Sequence, residues 1–281
     1  MSDIKGRDWL DFRRESESGI ESVSAHFSGH AYDPHDHDEV LVGFTHQGVQ
    51  RFRCHRALHT SHPGGAILIE PGAVHDGHAP QAEGFTYSML YLPQAWVSAR
   101  LALRGMANIS LIETAFSTTL SNDEALLQAI QQAFFAYHHR EGKLAQDQSM
   151  DRLLSLLTRH VKTAAPSLKR DTPLQMQRVR DVLHARMADD IGLDELSRLA
   201  GIDRFRLSRQ FNKAFGQTPH AYLVRLRLRS ARALLAHGQQ PAQVAIQVGF
   251  ADQSHLGRWF QRAYRMSPAA FQQHCTNVLS R

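Results

Sequence analysis

Apolar and polar positions follow two different periods along the chain, and the change falls near residue 123. Before it, short β-rich runs alternate with Gly and Pro turns. EVLVGFTHQGVQRFRC holds two runs about a Gln-Gly turn, and GGAILIEPGAVH and GFTYSMLYLP each add another. Several short strands at this spacing are typical of a barrel or sandwich. The first third is therefore predicted to be a compact β-barrel.

From Asp123 onward the apolar residues recur at helical spacing. Asp123 is the predicted N-cap of a first helix, whose apolar positions are Leu126, Leu127, Ile130, Phe134 and Tyr137. A second helix follows, with apolar positions at Met150, Leu153, Leu154, Leu157 and Val161. Two amphipathic helices after a barrel form either its lid or the seam of a homodimer, and the pattern supports both interpretations equally.

A break in periodicity divides the chain into two domains. KTAAPSLKRDTP, residues 162–173, lacks any period and contains Ala, Pro, Ser and charges, which is typical of an interdomain linker. Residues 1–161 then form the β-rich domain with its appended helices, and residues 174–281 form a domain that is helical throughout. The predicted fold class is α+β with an all-α C-terminal half.

Charge is distributed unevenly between these domains. Residues 166–281 hold 18 Lys and Arg against 8 Asp and Glu, a net +10. Residues 1–165 hold 14 against 19, a net −5, together with 13 of the 18 histidines. A domain this basic is expected to bind a polyanion, because neutralised phosphates release condensed counterions. Charge placed only for solubility usually mixes the signs, so double-stranded DNA is the favoured partner.

The C-terminal domain contains an internal duplication. LSRQFNKAFGQTPHAY and LGRWFQRAYRMSPAAF match in residue or aromatic character at eight of sixteen positions with one offset of 49. Each copy follows a short helix and a glycine turn, at Gly201 and Gly249, and each has an aspartate as predicted N-cap, Asp203 and Asp252. Helix, glycine turn and helix is the layout of the helix-turn-helix motif, whose second helix enters the major groove.

Helical geometry divides the surface of each second helix. Leu207, Phe211 and Phe215 recur at i, i+4 and i+8 and are predicted to be buried. The opposite face is predicted to read DNA, because Arg bridges guanine and Gln or Asn bridges adenine; the alternative is a solvated polar face. The predicted DNA-binding residues are Phe205, Arg206, Ser208, Arg209 and Asn212 in the first copy, and Gln253, Ser254, His255, Arg258 and Gln261 in the second.

A single long helix, predicted over residues 220–237, separates the two copies. Eighteen residues at 1.5 Å each make a rigid spacer of about 27 Å. That length suits two recognition helices placed about 34 Å apart, which is one turn of DNA. Arg225, Arg229 and Arg232 share one side of this helix, where they either contact phosphate or only decorate the surface.

The tandem motifs resemble the AraC/XylS family of bacterial transcription regulators over about residues 174–275. The residues that carry the resemblance are LDELSRLAGIDRFRLSRQFNKAFGQTPHAYLVRLRLRSARALL and VAIQVGFADQSHLGRWFQRAYRMSPAAF. The resemblance implies a sequence-specific regulator, usually an activator that contacts RNA polymerase. It also implies that the N-terminal half is similar to the sugar-sensing, cupin-like barrel of that family.

One position departs from the family pattern. Such proteins commonly place Gly after the second recognition helix, as this chain does after the first at Gly216, but here the second position is Arg265. A non-Gly residue in a left-handed cap costs about 1 kcal/mol. Local strain or an altered cap is therefore expected, without loss of the fold.

A histidine-rich segment lies in the predicted barrel. PHDHDEV places His35, His37 and Glu39 on one face of a strand at period two, and GGAILIEPGAVHDGH contributes His75 and His78. The layout looks like that of a cupin, whose enzymes bind Fe, Mn or Zn through His and Glu. Glu39 is closer to His37 than in those enzymes, and the run ending at His75 is one residue short.

These departures decide the interpretation of the histidines. A pocket for a small-molecule effector, formed by His35, His37, Glu39 and His75, is favoured over structural histidines and over a metal site. Neither a metal nor a cofactor is predicted. QRFRCHR adds Arg51 and Arg53, which favour an anionic effector if they line the barrel and carry no such meaning on its outer face.

The leading hypothesis is a cytoplasmic, non-enzymatic regulator in which a bound effector changes how the two recognition helices meet DNA. Two cysteines suit a reducing compartment, and the sequence has no apolar run of membrane length, so no membrane partner is expected. The alternatives are a metal-dependent cupin enzyme tethered to DNA and a DNA-binding protein without an effector.

Overall fold

The computed structural model describes residues 8–103, 116–161 and 173–276, and it divides into two compact units. Of the described residues, 8–103 and 116–161 form the first unit and 173–276 form the second. The linker predicted over 162–173 lies outside the described residues except at its last position, and its bounds stay a prediction. Among the described residues, no helix combines the length and apolarity needed to cross a bilayer.

The first unit contains two antiparallel β-sheets. The strands of the larger sheet are β1 (Trp9–Arg14), β2 (Glu21–Phe27), β4 (Val40–Gly48), β7 (Ala66–Ile69), β9 (Phe85–Leu92) and β10 (Leu120–Ser121). Those of the smaller sheet are β3 (His30–His35), β5 (Gln50–Cys54), β6 (Ala57–Ser61) and β8 (His75–His78). Their spatial orders are β1-β2-β9-β4-β7-β10 and β3-β8-β5-β6. The β-rich N-terminal half predicted from the turn-punctuated pattern is confirmed.

The larger sheet is buried on both faces. Val42 and Phe44 of β4 pack into an apolar core shared with the helices of this unit, whereas Leu41 points to the interior between the sheets. Successive side chains of a strand point to opposite faces. A strand covered on both sides therefore reads as a continuous apolar run, which is the pattern of VLVGF at the start of β4.

Three α-helices and one 3-10 helix complete the first unit. They are α1 (Gln94–Ala102), α2 (Glu124–His138), α3 (Lys143–Leu157) and the 3-10 helix Thr158–His160. The predicted N-cap is confirmed, because the carboxylate of Asp123 accepts hydrogen bonds from the amides of Ala125 and Leu126. The apolar face of α2 packs on the larger sheet, and α3 packs against α2, so both helices contribute to the same core.

The prediction that His35, His37 and Glu39 lie on a single strand is wrong. Strand β3 ends at His35 and β4 begins at Val40, so the other two residues lie in the connection between them. Asp has low β propensity, and this connection contains Asp36 and Asp38. A backbone hydrogen bond of 2.8 Å from Gly72 N to His37 O holds the connection against the turn before β8.

Every regular element among the described residues of the second unit is an α-helix. Its helices are α4 (Leu174–Ala185), α5 (Leu193–Ala200), α6 (Arg204–Phe215), α7 (Pro219–Ala236), α8 (Pro241–Gln247), α9 (Gln253–Tyr264) and α10 (Pro268–Thr276). The pairs α5–α6 and α8–α9 are the two predicted helix-turn-helix motifs. The long helix predicted over 220–237 is α7, displaced by one residue. The all-α C-terminal half is confirmed.

The glycine turns of the two motifs share a conformation but not an environment. Gly201 and Gly249 have φ of +65° and +93°, the left-handed region that L side chains rarely adopt. A Cβ at Gly201 would meet nothing within 4 Å, whereas one at Gly249 would lie 2.6 Å from the carbonyl oxygen of Ala188. The second motif therefore packs its turn directly against the connection between α4 and α5, and this contact joins the two halves of the unit.

The departure at Arg265 has the consequence expected from the sequence. Arg265 caps α9 in the left-handed conformation, with φ +57° and ψ +19°, and its amide donates to Gln261 O. Gly216 caps α6 in the same way, with φ +79° and its amide on Asn212 O. The chain thus adopts the same cap in both copies and places a non-Gly residue in one of them.

The two turn glycines predict a difference in stability. Gly201→Ala should lower the free energy of unfolding by about 1 kcal/mol, because only the left-handed conformation is penalised. Gly249→Ala should cost a further 1–3 kcal/mol or so, because its methyl group overlaps backbone that cannot move away cheaply. Urea denaturation of the full chain, followed by helical circular dichroism, measures both. Equal losses for the two variants would contradict the packing at Ala188.

The two helix caps predict opposite effects of exchanging their residues. Arg265→Gly should raise the free energy of unfolding by up to about 1 kcal/mol, because it relieves a left-handed Arg. Gly216→Arg should lower the free energy of unfolding by a similar amount. The same denaturation assay compares them, and a loss of stability in Arg265→Gly would show that contacts of the Arg265 side chain outweigh its backbone strain.

Candidate nucleic-acid interface and ligand pocket

The first recognition helix, α6, separates its faces as helical geometry requires. Leu207 and Phe211 are both 0% exposed and pack into the core of α4, α5 and α7. On the opposite face Phe205 is 80% exposed. Of the other predicted DNA-binding residues of this helix, Ser208 is half-buried, and the exposed ones are Arg206, Arg209 and Asn212.

The second recognition helix, α9, repeats this arrangement at the predicted DNA-binding positions except His255. Leu256 and Phe260 are 0% exposed. The predicted DNA-binding residues that are exposed are Gln253, Ser254, Arg258 and Gln261. His255 is half-buried, because its Nε2 accepts a hydrogen bond of 3.1 Å from the indole N–H of Trp259 and its ring meets the edge of Phe250. The structure therefore places His255 in the packing of the helix start rather than with the exposed residues.

Both recognition helices start at their predicted aspartate caps. The carboxylate of Asp203 accepts from the amides of Phe205 and Arg206, at 3.0 and 2.9 Å, and that of Asp252 accepts from His255 N. The hydrogen bond from the Arg206 amide is the main cause that lowers the pKa of Asp203. Both caps are exposed, so each recognition helix begins at the surface with its first turn ordered.

Sequence reasoning missed one basic position in each motif. Lys213 and Arg262 are related by the same offset of 49, lie one helical turn beyond Arg209 and Arg258, and are exposed. The guanidinium of Arg262 lies 5.1 Å from the centre of the Trp259 ring. The duplication itself could have revealed this pair, if the two copies had been compared for residues of equal charge as well as for identical residues.

The arginines predicted on one side of α7 do not behave as a group. Arg232 is only 9% exposed, and its guanidinium stacks over the rings of Tyr264 and Phe271 at 5.8 and 5.2 Å. It therefore ties α7 to α9 and α10, and neither of the two roles predicted for it applies. Arg225 stacks over Tyr222 at 5.0 Å and is half-buried.

The two β-sheets enclose a small cavity in the first unit. Its polar lining comes from Tyr32, His35, Gln50, His75, Asp76, Tyr87 and Tyr91. The Tyr32 and Tyr87 hydroxyls are hydrogen-bonded to each other, and burial raises the pKa of Tyr87. Gln50 is 7% exposed, and its Oε1 has no hydrogen-bond partner among the described residues. As folded, the cavity has room for about two water molecules.

Three of the four predicted effector residues meet beside this cavity. One ring nitrogen from each of His35, His37 and His75 lies within 4.8 Å of the other two. His35 and His75 are direct partners in the β3–β8 pairing. Burial lowers the pKa of His75 and so favours its neutral form. Glu39 is half-buried, and it belongs neither to this cluster nor to the cavity lining.

The arginines of β5 lie on the outside of the barrel. Arg51 and Arg53 are exposed, whereas Phe52 and Cys54 between and after them are buried. Of the two interpretations that the sequence supported, the outer face is correct. These arginines therefore say nothing about the charge of a molecule inside.

Comparison with known proteins matches both halves of the chain. A family described as the AraC-like ligand binding domain matches residues 17–157, and a helix-turn-helix domain matches residues 196–274. The uncharacterized HTH-type transcriptional regulator YbfI of Bacillus subtilis is 26% identical over 225 residues, which cover 79% of this chain and 80% of YbfI. The HTH-type transcriptional activator RhaS of Escherichia coli is 34% identical over 92 residues, 32% of this chain and 33% of RhaS.

Solved structures agree on the fold. ToxT from Vibrio cholerae O395 superposes with a TM-score of 0.55 at 12% identity, covering 92% of this chain and 99% of ToxT. Unsaturated fatty acid-bound ToxT from strain SCE256 has a TM-score of 0.52 at 13% identity, covering 94% and 99%. Family matches, relatives and architecture lead to one conclusion: the chain belongs to the AraC family of DNA-binding transcriptional regulators with a ligand-binding domain.

Proposed function

We propose that this regulator activates transcription by placing α6 and α9 in successive major grooves, under the control of a small molecule bound in its barrel. The observation that carries the proposal is the equivalence of Arg209 and Arg258. Each is exposed, at one offset, on a helix whose opposite face is fully buried. A solvated surface gives no reason for two helices to keep the same basic position.

The spacing between the two helices supports the same proposal. Helix α7 has 18 residues, so it spans about 27 Å. Arg232 locks its C-terminal half to α9 and α10, and Gly249 packs against Ala188 of the first half. A rigid unit of this size suits two helices about 34 Å apart, which is one turn of DNA. Arg209 and Arg258 would then each bridge O6 and N7 of a guanine.

The ligand-binding half of the proposal rests on the barrel interior. We assign the effector to His35, His37 and His75, beside the cavity that contains Gln50, and leave out Glu39 because it lies outside both the cluster and the cavity lining. An oxygen buried without a hydrogen-bond partner costs free energy that a ligand or water would recover. Effector binding regulates DNA binding only if the effector has different affinities for two arrangements of the protein.

Two partners complete the proposal. We propose a homodimer through the outer side of α2 and α3, where Phe135 is 50% exposed in a concave surface lined mainly by polar residues. RNA polymerase is the expected partner of an activator bound to DNA. No catalytic role is proposed, because the relatives are transcriptional regulators.

Arg209→Ala and Arg258→Ala should each reduce discrimination between a DNA site selected from a random pool and its scrambled version. The expected loss is about 10- to 100-fold per variant, because one bidentate contact to guanine contributes about 1–3 kcal/mol of specificity. Competition fluorescence anisotropy at fixed salt measures the ratio. Arg198→Ala, an exposed arginine outside both recognition helices, is the matched control. If the double variant folds and keeps full discrimination, the proposed readout fails.

Gln50→Leu tests the pocket separately from the DNA interface. The full chain should show a thermal shift with at least one member of a metabolite and ion panel, since a ligand at 100 times its Kd adds about 2.7 kcal/mol to stability. Gln50→Leu should lose that shift, yet change the stability of the unliganded protein by no more than about 1 kcal/mol. DNA discrimination of the variant should stay unchanged. A shift of undiminished size would place the ligand elsewhere.

A further inference from the structure

We propose that His35, His37 and His75 bind one divalent transition-metal ion, with Zn²⁺ as the reference ion of its class. The inference rests on the proposed function, because it names the kind of ligand that the same pocket takes. The three side chains are 4%, 4% and 9% exposed. Buried imidazoles that converge on one point offer three nitrogen ligands away from bulk water.

The distances between the three imidazole rings are close to those of a metal site. Zn–N bonds of 2.0–2.1 Å in a tetrahedral site put the nitrogens about 3.4 Å apart and the ring centres roughly 5 Å apart. The observed ring centres are 4.8 Å apart for His35–His37, 4.5 Å for His35–His75 and 5.4 Å for His37–His75. The ring centres are thus already at the separation of a metal site, and the nitrogens lie within 4.8 Å of one another.

Backbone hydrogen bonds prepare two of the ligands. Nδ1 of His35 lies 2.8 Å from Asp33 O, and Nδ1 of His75 lies 2.9 Å from Ala73 O. A carbonyl oxygen only accepts, so each Nδ1 carries the hydrogen and each neutral ring presents its lone pair at Nε2. The same geometry, with the carbonyl two residues earlier, occurs on both strands. A hydrogen bond on the second ring nitrogen is what orients metal-bound histidines and raises their basicity.

The fold holds the three histidines in place before any ion arrives. His35 and His75 face each other across the β3–β8 pairing. His37 is held by its carbonyl, which accepts from Gly72 N, and by its ring, which meets Tyr91 edge to face at 4.9 Å. An ion would therefore connect β3, the β3–β4 connection and β8 without needing to order a loose segment.

The ligand set selects the class of ion. Imidazole suits Zn²⁺, Cu²⁺, Ni²⁺ and Fe²⁺, whereas Mg²⁺ and Ca²⁺ prefer oxygen. Three protein ligands leave at least one coordination position open. His35 and His75 also line the cavity, which has room for about two waters. The open position therefore suits water or a small oxygen ligand that Gln50 also contacts.

The test uses the full chain, stripped with chelator and dialysed, titrated with Zn²⁺ by calorimetry and with Co²⁺ by its ligand-field absorption. We expect one ion per chain, a thermal shift, and a Co²⁺ spectrum of nitrogen ligation. His35→Asn and His75→Asn should each weaken Zn²⁺ binding more than 100-fold or so, beyond the 10- to 100-fold effect of losing a surrounding hydrogen bond. Circular dichroism confirms that each variant is folded.

His78→Asn is the matched control, because His78 lies on β8 with His75 but outside the cluster. It should bind Zn²⁺ like the original chain. If His35→Asn and His75→Asn bind as tightly as this control, the ion is held by surface histidines and the proposal is overturned. Absence of stoichiometric binding in the original chain overturns it as well.

Affinity for the selected DNA site, with and without Zn²⁺, separates this inference from the proposed function. A change of DNA affinity in the original chain that His75→Asn abolishes supports the ion as the effector. Full discrimination of DNA without any metal binding overturns the metal site alone. If the chain binds metal but does not discriminate the selected DNA site from its scrambled version, the result contradicts the proposed function and does not affect the metal site.

Discussion

The rotation of each recognition helix about its own axis is the constraint on which DNA binding depends. Leu207 and Phe211 in α6, like Leu256 and Phe260 in α9, are removed from water completely. Burying side chains of this size contributes about 1.5–3 kcal/mol each, so turning either helix would expose them at large cost. The exposed arginines need no contact of their own to point outward, because the opposite face decides their direction. A duplicated core pattern therefore produces a duplicated reading surface.

In the N-terminal unit, packing decides which side chains face the interior between the two sheets. Its larger sheet is covered on one face by α2, on which α3 packs, and its other face closes over a cavity with the smaller sheet. The pairing register of β3 with β8 then brings His35 opposite His75, although forty residues separate them along the chain. A slip of one residue in either strand would turn one histidine away from the other. The histidine cluster thus depends on the pairing register of these two strands.

Between the two motifs of the second unit, the glycine turns show how local and tertiary effects combine. Both Gly201 and Gly249 end a helix in the left-handed conformation, which is a local requirement. Only Gly249 also lies against the backbone of Ala188, and this contact sets the second motif against the first half of the unit. Buried Arg232 adds a second tie through the rings of Tyr264 and Phe271. The contacts of Gly249 and Arg232 are inside the unit. They therefore fix the distance between the two recognition helices without help from surface charges.

The sequence alone determined whatever follows from local period and chain order: the β-rich and helical halves, both helix-turn-helix motifs and their aspartate caps. It misjudged features that depend on what lies opposite a residue in space. The strand predicted through His37 stops at His35, and Arg232 is buried. Only the tertiary structure decided that three histidines converge while Glu39 lies apart, because strand pairing joins residues that no local pattern relates.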